Sequence, residues 1–192
     1  MKKNIILATS SERKKRLFSF LGIPFAIIEH KFDEKSVITI NPKKRVIDVA
    51  RGKVESIKNK HSSSIIIGLD TIVVYKNKVL EKPKNKAEAL RMLMFLNGSI
   101  HQVITGLYVC DTSNDKNVYF SITTRMYFKK FNKHVLSAYI DKEDVMDIAG
   151  AYNHEALGCI LLKKIDGDYY NSIGMPLSAI ADALKKFDIN IL

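Results

Sequence analysis

The chain has 192 residues, of which 46% are hydrophobic and 27% are charged, and its 31 basic and 20 acidic side chains give a formal net charge of +11. This composition is typical of a globular protein with its own core, and it excludes a disordered chain, a collagen-like repeat and a coiled coil. The length is that of one domain, so we expect residues 1–192 to form a single domain.

Neither a membrane span nor a secretory signal is expected. The most apolar stretch, residues 62–75, is shorter than the roughly 20 residues of a membrane helix and contains Asp70. The apolar run near the amino terminus is likewise too short for a signal peptide. The two cysteines, Cys110 and Cys159, form no metal or redox motif, and we expect reduced, buried thiols. These observations predict a cytoplasmic protein.

The positive charge favours a polyanionic partner, which could be a nucleotide, a nucleic acid or an anionic surface. Lysine supplies 25 of the 31 basic residues, whereas base edges and bidentate phosphate contacts favour arginine. The charge therefore does not choose among these partners.

Strands and helices alternate in the first half of the chain. Periodicity and capping residues predict, in order, a strand over residues 4–9, a helix over 12–21 closed by Gly22, a strand over 24–30, a helix that begins at Pro42 after the N-cap residue Asn41, and a strand over 64–75.

The second half contains a hairpin among further strands and helices. The pattern predicts a turn over 76–78, a helix over 86–97 after Asn85, paired strands over 102–111 and 118–129, a helix over 133–139 after Asn132, a strand over 157–165 and a last helix over 177–187. Because one strand pair is a hairpin, we expect a mixed α/β sheet rather than a purely parallel one.

Hydroxyl and basic residues follow the first strand. Ser11 precedes a helix whose first turn holds Arg13 and Lys14. Backbone N–H groups at a helix start attract phosphate, and cations in that turn oppose the helix dipole by about 0.3–1 kcal/mol each, a conflict that a bound anion removes. The segment is a candidate phosphate site, and the alternative is a capped helix with a solvated basic face.

Two acidic residues are candidates for metal binding or water activation. Asp70 lies within an apolar strand, where an unpaired carboxylate is costly, and shares a face with Gly68, which we expect to leave space in front of the sheet. Glu34 follows the second strand and could join Asp70 at a Mg²⁺ ion. The alternatives are a partly buried ion pair at Asp70 and a solvated loop charge at Glu34.

Other candidates are isolated. Lys53, on the apolar side of its helix, and Lys82, before a proline, could neutralise phosphate, although a lone lysine is usually solvated. Asn153 and Glu155, in a loop of small residues over 149–158, could bind a base edge, or the loop could be a tight packing corner. The five histidines are interpreted as structural or solvated. P-loop, dinucleotide-binding, zinc-protease and serine-hydrolase motifs are absent from the sequence.

Taken in order, these segments resemble the Maf family, the septum-formation-type nucleoside triphosphate pyrophosphatases. The matching blocks are Thr9-Ser10-Ser11-Glu12-Arg13-Lys14, Asp33-Glu34, Ala50-Arg51-Gly52-Lys53-Val54, Gly68-Leu69-Asp70-Thr71, Glu81-Lys82-Pro83, His101-Gln102-Val103-Ile104-Thr105, Ala149-Gly150-Ala151-Tyr152, Gly167-Asp168-Tyr169 and Gly174-Met175-Pro176-Leu177. Each block is weak alone, and the ordered set is specific.

The resemblance implies a mixed sheet flanked by helices, with two lobes around a central cleft, and Mg²⁺- or Mn²⁺-dependent hydrolysis of a nucleoside triphosphate to the monophosphate and pyrophosphate. It implies a homodimer, with neither membrane nor nucleic acid as partner. The implied roles are catalytic for Asp70, Glu34 and Lys82, metal-binding for Asp70 and Glu34, phosphate-binding for Ser11, Arg13, Lys14 and Lys53, and base-selecting for Arg13, Thr71 and Glu155.

Departures from the family pattern leave the preferred base undecided, because different residues resemble different branches of the family. Glu12 and Lys14 replace a proline and an arginine, and Ile148 replaces a lysine. Glu155 resembles the branch that acts on 7-methyl-GTP, whereas Arg13 and Thr71 resemble the branch that acts on dTTP and UTP.

Two other functions remain open. One is a non-enzymatic regulator that binds nucleic acid or a cell-division protein, although no RNA-recognition or helix-turn-helix motif supports it. The other is a pyrophosphatase of the inosine-triphosphate type.

Overall fold

In a computed structural model of the chain, which describes residues 3–192, seven strands form one mixed β-sheet. The strands are β1 (Asn4–Ala8), β2 (Ala26–Ile28), β3 (Ser64–Tyr75), β4 (Lys78–Leu80), β5 (Ile100–Asp111), β6 (Asn117–Phe128) and β7 (Leu162–Asp166). Their order is β2-β1-β3-β5-β6-β7, and β4 pairs with β3. Strands β2 and β3 run parallel to β1, whereas β4 and β7 run antiparallel to β3 and β6. The predicted mixed sheet is confirmed.

Helices lie between the strands in the chain. The α-helices of the described residues are α1 (Glu12–Phe18), α2 (Pro42–Lys58), α3 (Lys86–Leu96), α4 (Lys133–Lys142), α5 (Tyr169–Ser172) and α6 (Leu177–Lys185). Short 3₁₀ helices occupy Ser19–Leu21, Glu34–Ser36, Ala149–Ala151 and Leu157–Leu161. No helix in this part of the chain is long and apolar enough to cross a membrane.

The helices begin where the sequence provides caps. The Asn41 side chain accepts hydrogen bonds from two backbone N–H groups of the first turn of α2. Asn85 and Asn132 cap α3 and α4 in the same way, through the N–H groups of Glu88 and Val135. These side chains satisfy N–H groups that have no partner within the helix, which fixes where each helix starts.

The chain divides into two compact units. Unit 1 comprises Met1–Asp70, Thr105–Ile122 and Gly174–Leu192, and unit 2 comprises Thr71–Ile104 and Thr123–Ile173. In unit 1, apolar residues of β1, α2, β3 and β5 pack into one buried cluster: Ile6, Ala8, Ala50, Val54, Ile57, Ile66, Tyr108 and Cys110. In unit 2, a larger cluster joins α3, α4, β6 and the segments after α4, and it includes Leu93, Leu96, Met126, Leu136, Tyr152 and Leu161.

The segment predicted as a strand over residues 157–165 is a strand only in its second half. Leu157–Leu161 forms a 3₁₀ helix, and β7 covers Leu162–Asp166. A tight backbone approach explains the difference, because a Cβ atom on Gly158 would lie 2.4 Å from the Asn153 carbonyl oxygen. The expectation of two buried thiols is confirmed for Cys110 and wrong for Cys159, which is exposed on this helix.

Candidate active site

Most candidate residues of unit 1 follow β1 or β2, or lie on β3 just past its parallel pairing with β1. Strand β1 leads into the Ser11 turn and α1, β2 leads towards Glu34, and β3 continues past its pairing with β1 to Asp70. The Thr9 backbone N–H donates to the Ile28 carbonyl oxygen at 3.1 Å, which ties the ends of β1 and β2 together. Carboxyl ends of parallel strands at one sheet edge are the usual place for ligand sites in α/β folds.

Helix α2 brings Lys53 to this edge because two glycines let it lie against the sheet. A Cβ atom on Gly68 would lie 2.2 Å from the Ala50 carbonyl oxygen, and one on Gly106 would lie 2.3 Å from the Val46 carbonyl oxygen. The expectation that Gly68 leaves open space was therefore wrong. The backbone of α2 fills that space, and the side chain that meets Asp70 comes from the helix.

A single ammonium group joins two carboxylates. Lys53 Nζ lies 2.9 Å from Glu34 Oε1 and 3.1 Å from Asp70 Oδ1, and it also donates to the Leu69 carbonyl oxygen at 3.2 Å. The side chains of Lys53 and Asp70 are only 6% and 12% exposed, whereas Glu34 is 47% exposed. The alternative of a partly buried ion pair is thus realised at Asp70, and its partner is a candidate phosphate-binding residue.

A second lysine crowds the first. Lys14 Nζ donates to the same Leu69 carbonyl oxygen at 3.3 Å. Burial and the neighbouring Lys53 charge lower the pKa of Lys14 to about 7, although Asp70 and Glu34 oppose the shift. Burial alone would raise the pKa of Glu34, but Lys53 outweighs it and holds that pKa below its usual range. We call Lys14, Glu34, Lys53 and Asp70 the Lys53 cluster.

Ser11 and Arg13 precede Lys14 in the same segment of the chain. The Ser11 hydroxyl oxygen accepts a hydrogen bond from the Lys14 backbone N–H at 3.4 Å and so caps α1. The Ser11 backbone N–H donates to the Thr9 hydroxyl oxygen at 3.2 Å. Arg13 is half-buried in the first turn of α1. Ser11 is thus the N-cap residue of α1.

His30 is a residue of this edge that sequence reasoning missed. Its Nε2 lies 3.7 Å from Glu34 Oε1, and its Nδ1 is buried without a hydrogen-bond partner. Burial and the Lys53 charge lower the pKa of His30. The available signal was the four-residue spacing between His30 and Glu34 just after β2.

The donor set suits a divalent ion held partly by the protein. Asp70 and Glu34 offer two carboxylate oxygens that share one cation, Lys53 Nζ. Among the residues that the structure describes, no group of three or more His, Cys, Asp and Glu side chains forms a metal site. Mg²⁺ is commonly bound by one or two carboxylates that water and substrate phosphates complete. These residues therefore fit that mode and do not form an all-protein cage.

Lys82 lies in unit 2, in an exposed ion pair with Asp147. Its neighbour Glu81 accepts a hydrogen bond, through the carbonyl oxygen, from the Gly150 N–H at 3.2 Å. The segment that contains Lys82 and the loop that starts at Ala149 are thus joined. Sequence spacing gave no indication of this contact.

The other two base-selecting candidates also belong to unit 2. Thr71 follows Asp70 on β3, and because adjacent strand residues point to opposite faces, the two side chains lie on different faces of the strand. Glu155 is half-buried, and its backbone N–H donates to Asn153 Oδ1 at 3.1 Å. The loop is fixed in turn by Asn153, whose N–H donates to the Tyr139 hydroxyl oxygen at 2.8 Å.

A cavity of about 1100 Å³ in unit 1 lies away from the Lys53 cluster. Its lining residues include Asn4, Phe25, Lys60, Ser64 and Phe187, which places it at the amino ends of β1 and β3. Asp70 is six residues further along β3 than Ser64, or about 20 Å at the rise of an extended strand.

Comparisons with known proteins agree on one family. The model of the Maf-like protein family matches residues 4–187. The chain is 36% identical to a dTTP/UTP pyrophosphatase of Bacillus anthracis (strain CDC 684 / NRRL 3495) over 189 residues, which cover 98% of each chain. It is 37% identical to a dTTP/UTP pyrophosphatase of Clostridioides difficile (strain 630) over 98% of this chain and 97% of that one.

Proposed function

The chain belongs to the Maf-like protein family, and from that premise we propose that it is a pyrophosphatase that hydrolyses a nucleoside triphosphate to the monophosphate and pyrophosphate. The observation that carries this proposal is the buried Lys53 ammonium shared by Asp70 and Glu34, with Lys14 beside it. Two lysines and two carboxylates gathered in this way supply the phosphate-neutralising and ion-binding groups that polyphosphate hydrolysis needs.

Asp70 and Glu34 would hold the divalent ion, Mg²⁺ or Mn²⁺. The ion supplies charge neutralisation on the phosphate oxygens and lowers the pKa of bound water. With the ion bound, Asp70 and Glu34 would no longer need the Lys53 ammonium as their counter-charge. Lys53 is then available to phosphate.

The phosphate-binding residues would be Ser11, Arg13, Lys14 and Lys53, with Lys82 as a further catalytic cation. Because the pKa of Lys14 is about 7, this side chain is only partly protonated in the free protein at neutral pH. A bound polyphosphate adds negative charge and draws a proton onto Lys14. The group thus gains charge when the substrate arrives.

Asp70 would orient the attacking water and accept its proton. Attack at the α-phosphorus needs a positioned water and neutralisation of the departing pyrophosphate, and no covalent nucleophile is required. Asp70 is suited to this role because its side chain is only 12% exposed and its backbone is part of β3.

The decisive experiment replaces Asp70 by Asn and measures pyrophosphate release with Mg²⁺ or Mn²⁺. We expect activity to fall about 10³-fold, because a general base contributes about 10²–10⁴-fold. Asp182→Asn is the matched control, since that carboxylate forms an exposed pair with Lys185 on α6. Release of orthophosphate in place of pyrophosphate, or full activity in a folded D70N protein, would overturn the proposal.

The substrate we propose is a pyrimidine triphosphate, dTTP or UTP. The similarity to dTTP/UTP pyrophosphatases supports this choice, as do Arg13 and Thr71 at the base-selecting positions. Glu155 opposes it, because a carboxylate only accepts hydrogen bonds and suits the N–H edge of a guanine.

Glu155→Gln tests the opposing residue. We expect the ratio of kcat/KM for dTTP to that for 7-methyl-GTP to rise several-fold, because an amide can both donate and accept hydrogen bonds. The measurement is pyrophosphate release over a panel of ordinary and methylated triphosphates. An unchanged ratio would remove Glu155 from base selection.

Three further properties belong to the same proposal. The single domain over residues 1–192 is supported by the family match, which runs through both units. The homodimer rests on the family resemblance, and sedimentation velocity tests it directly. A cytoplasmic location follows from the proposed substrate, since nucleoside triphosphates are made there.

A further inference from the structure

His30 is a largely buried polar residue that contributes little to the stability of the fold. Its side chain is 14% exposed, and Nδ1 is buried with no partner. Nε2 lies 3.7 Å from Glu34 Oε1, which is too long for a hydrogen bond. A buried polar atom without a partner costs roughly 1–3 kcal/mol, so an apolar side chain of similar size would serve stability better.

Glu34 is less firmly held than Lys53 and Asp70, because its side chain is more exposed than theirs. It begins the short 3₁₀ helix Glu34–Ser36, and its side chain is 47% exposed. In the structure it is held by Lys53 at 2.9 Å. A divalent ion at Asp70 and Glu34 would displace that ammonium. Of the two groups beside the Glu34 carboxylate, only the His30 ring would then remain next to it.

We infer that His30 is a positioning residue, whose Nε2–H hydrogen-bonds the Glu34 carboxylate when a divalent cation takes the place of Lys53. This inference rests on the proposed function, because it concerns the same carboxylates. Metal-binding side chains are generally oriented by such an outer hydrogen bond, and its loss weakens metal affinity about 10–100-fold. A shift of less than 1 Å would bring the present 3.7 Å contact to hydrogen-bond length.

Two amide variants separate the two ring nitrogens of His30. The amide nitrogen of His30→Gln lies where Nε2 lies, and that of His30→Asn lies where Nδ1 lies. We expect Mn²⁺ binding to the nucleotide-free protein, measured by electron paramagnetic resonance, to weaken about 10-fold in His30→Asn and His30→Met. We expect His30→Gln to bind Mn²⁺ nearly as tightly as the wild-type protein. His134→Met, at an exposed histidine of α4, is the matched control.

Urea unfolding of the same variants separates positioning from folding. We expect His30→Met to be at least as stable as the wild type, because it removes the orphaned Nδ1. Wild-type affinity for Mn²⁺ in His30→Met, or equal rescue by Asn and Gln, overturns the inference. A wild-type protein that binds no Mn²⁺ overturns it as well.

Pyrophosphate release by the wild-type protein tests the proposed function independently of the role of His30. If the wild-type protein binds Mn²⁺ but releases no pyrophosphate from any triphosphate, the proposed function fails while the His30 comparison still decides the positioning role. If it releases pyrophosphate and His30→Met binds Mn²⁺ normally, only the inference about His30 fails.

Discussion

The two units bury polar groups in opposite ways. Unit 1 buries charge, because Lys53 and Asp70 lie in the Lys53 cluster with a second lysine beside them. Unit 2 buries neutral groups in pairs. Ser99 Oγ lies 3.1 Å from His101 Nδ1, and His101 Nε2 lies 2.7 Å from the Tyr152 hydroxyl oxygen.

The pKa shifts show what separates these regions. In unit 2, burial lowers the pKa of His101 to about 4 and raises that of Tyr152, so both groups stay neutral at physiological pH. In unit 1, burial and the neighbouring Lys53 charge lower the pKa of Lys14 to about 7, so its ammonium form is disfavoured. In unit 2, the hydrogen bonds of Ser99, His101 and Tyr152 satisfy one another inside the core. Unit 1 leaves electrostatic conflict that an anionic ligand and a cation would relieve.

Lys53→Met breaks the charged arrangement and has the largest expected effect. It leaves Asp70 and Glu34 side by side without their shared cation, and loss of one partner from a buried ion pair costs about 3–5 kcal/mol. We expect the free energy of unfolding at neutral pH to fall by about 4 kcal/mol, measured by urea denaturation.

Mg²⁺ sharpens the same experiment. If the two carboxylates form a cation site, millimolar Mg²⁺ should stabilise Lys53→Met more than the wild type, because the ion replaces the missing ammonium. An equal response of both proteins to Mg²⁺ would show that the two carboxylates do not form a cation site.

The stability of the protein at acidic pH tests the buried, neutral His101 of unit 2. His101 has a pKa of about 4 in the folded protein and about 6.5 when unfolded. Its folded pKa is depressed, so its contribution is fully present above about pH 6.5 and is lost as the pH falls towards 4. We expect a loss of about 2 kcal/mol between about pH 7.5 and pH 5, approaching about 3 kcal/mol near pH 4.

The comparison of wild type with His101→Gln assigns that loss. His30 has a lowered pKa too, but it titrates in both proteins and so cancels from the difference. The pH dependence of the unfolding free energy should flatten in His101→Gln between about pH 7.5 and pH 5. Parallel curves would assign the acid loss to other groups.

Local signals in the sequence predicted much of this fold. Asn41, Asn85 and Asn132 are hydrogen-bonding caps, and three of the predicted helices begin directly after them. The strand predicted over residues 64–75 is β3 without change, because β-branched residues make up most of the segment. Where a tertiary contact overrides local preference, as at Gly158 before β7, sequence patterns failed.

The charged cluster was predictable by residue type but not by contact. Lys53, Asp70 and Glu34 were all candidates, yet their meeting depends on how closely α2 approaches β3 at Gly68. A glycine in a strand indicates either open space or close backbone approach, and periodicity does not distinguish the two. His30 was interpreted only as structural or solvated, because its position depends on the path of the chain after β2, which no periodic pattern specifies.

Lys82→Gln has the smallest expected effect on stability. It tests whether activity can be lost while the fold remains equally stable. The pair of Lys82 with Asp147 is 62% and 81% exposed, and exposed pairs contribute about 0–1 kcal/mol. We expect unfolding free energy to change by less than about 0.5 kcal/mol, while kcat/KM for pyrophosphate release falls about 10²-fold if Lys82 stabilises the transition state. Lys86→Gln is the matched control, because Lys86 forms a similar exposed pair with Asp141 in unit 2. Equal activity of the two variants would remove Lys82 from the catalytic residues and leave the charged arrangement of unit 1 as the whole of the candidate machinery.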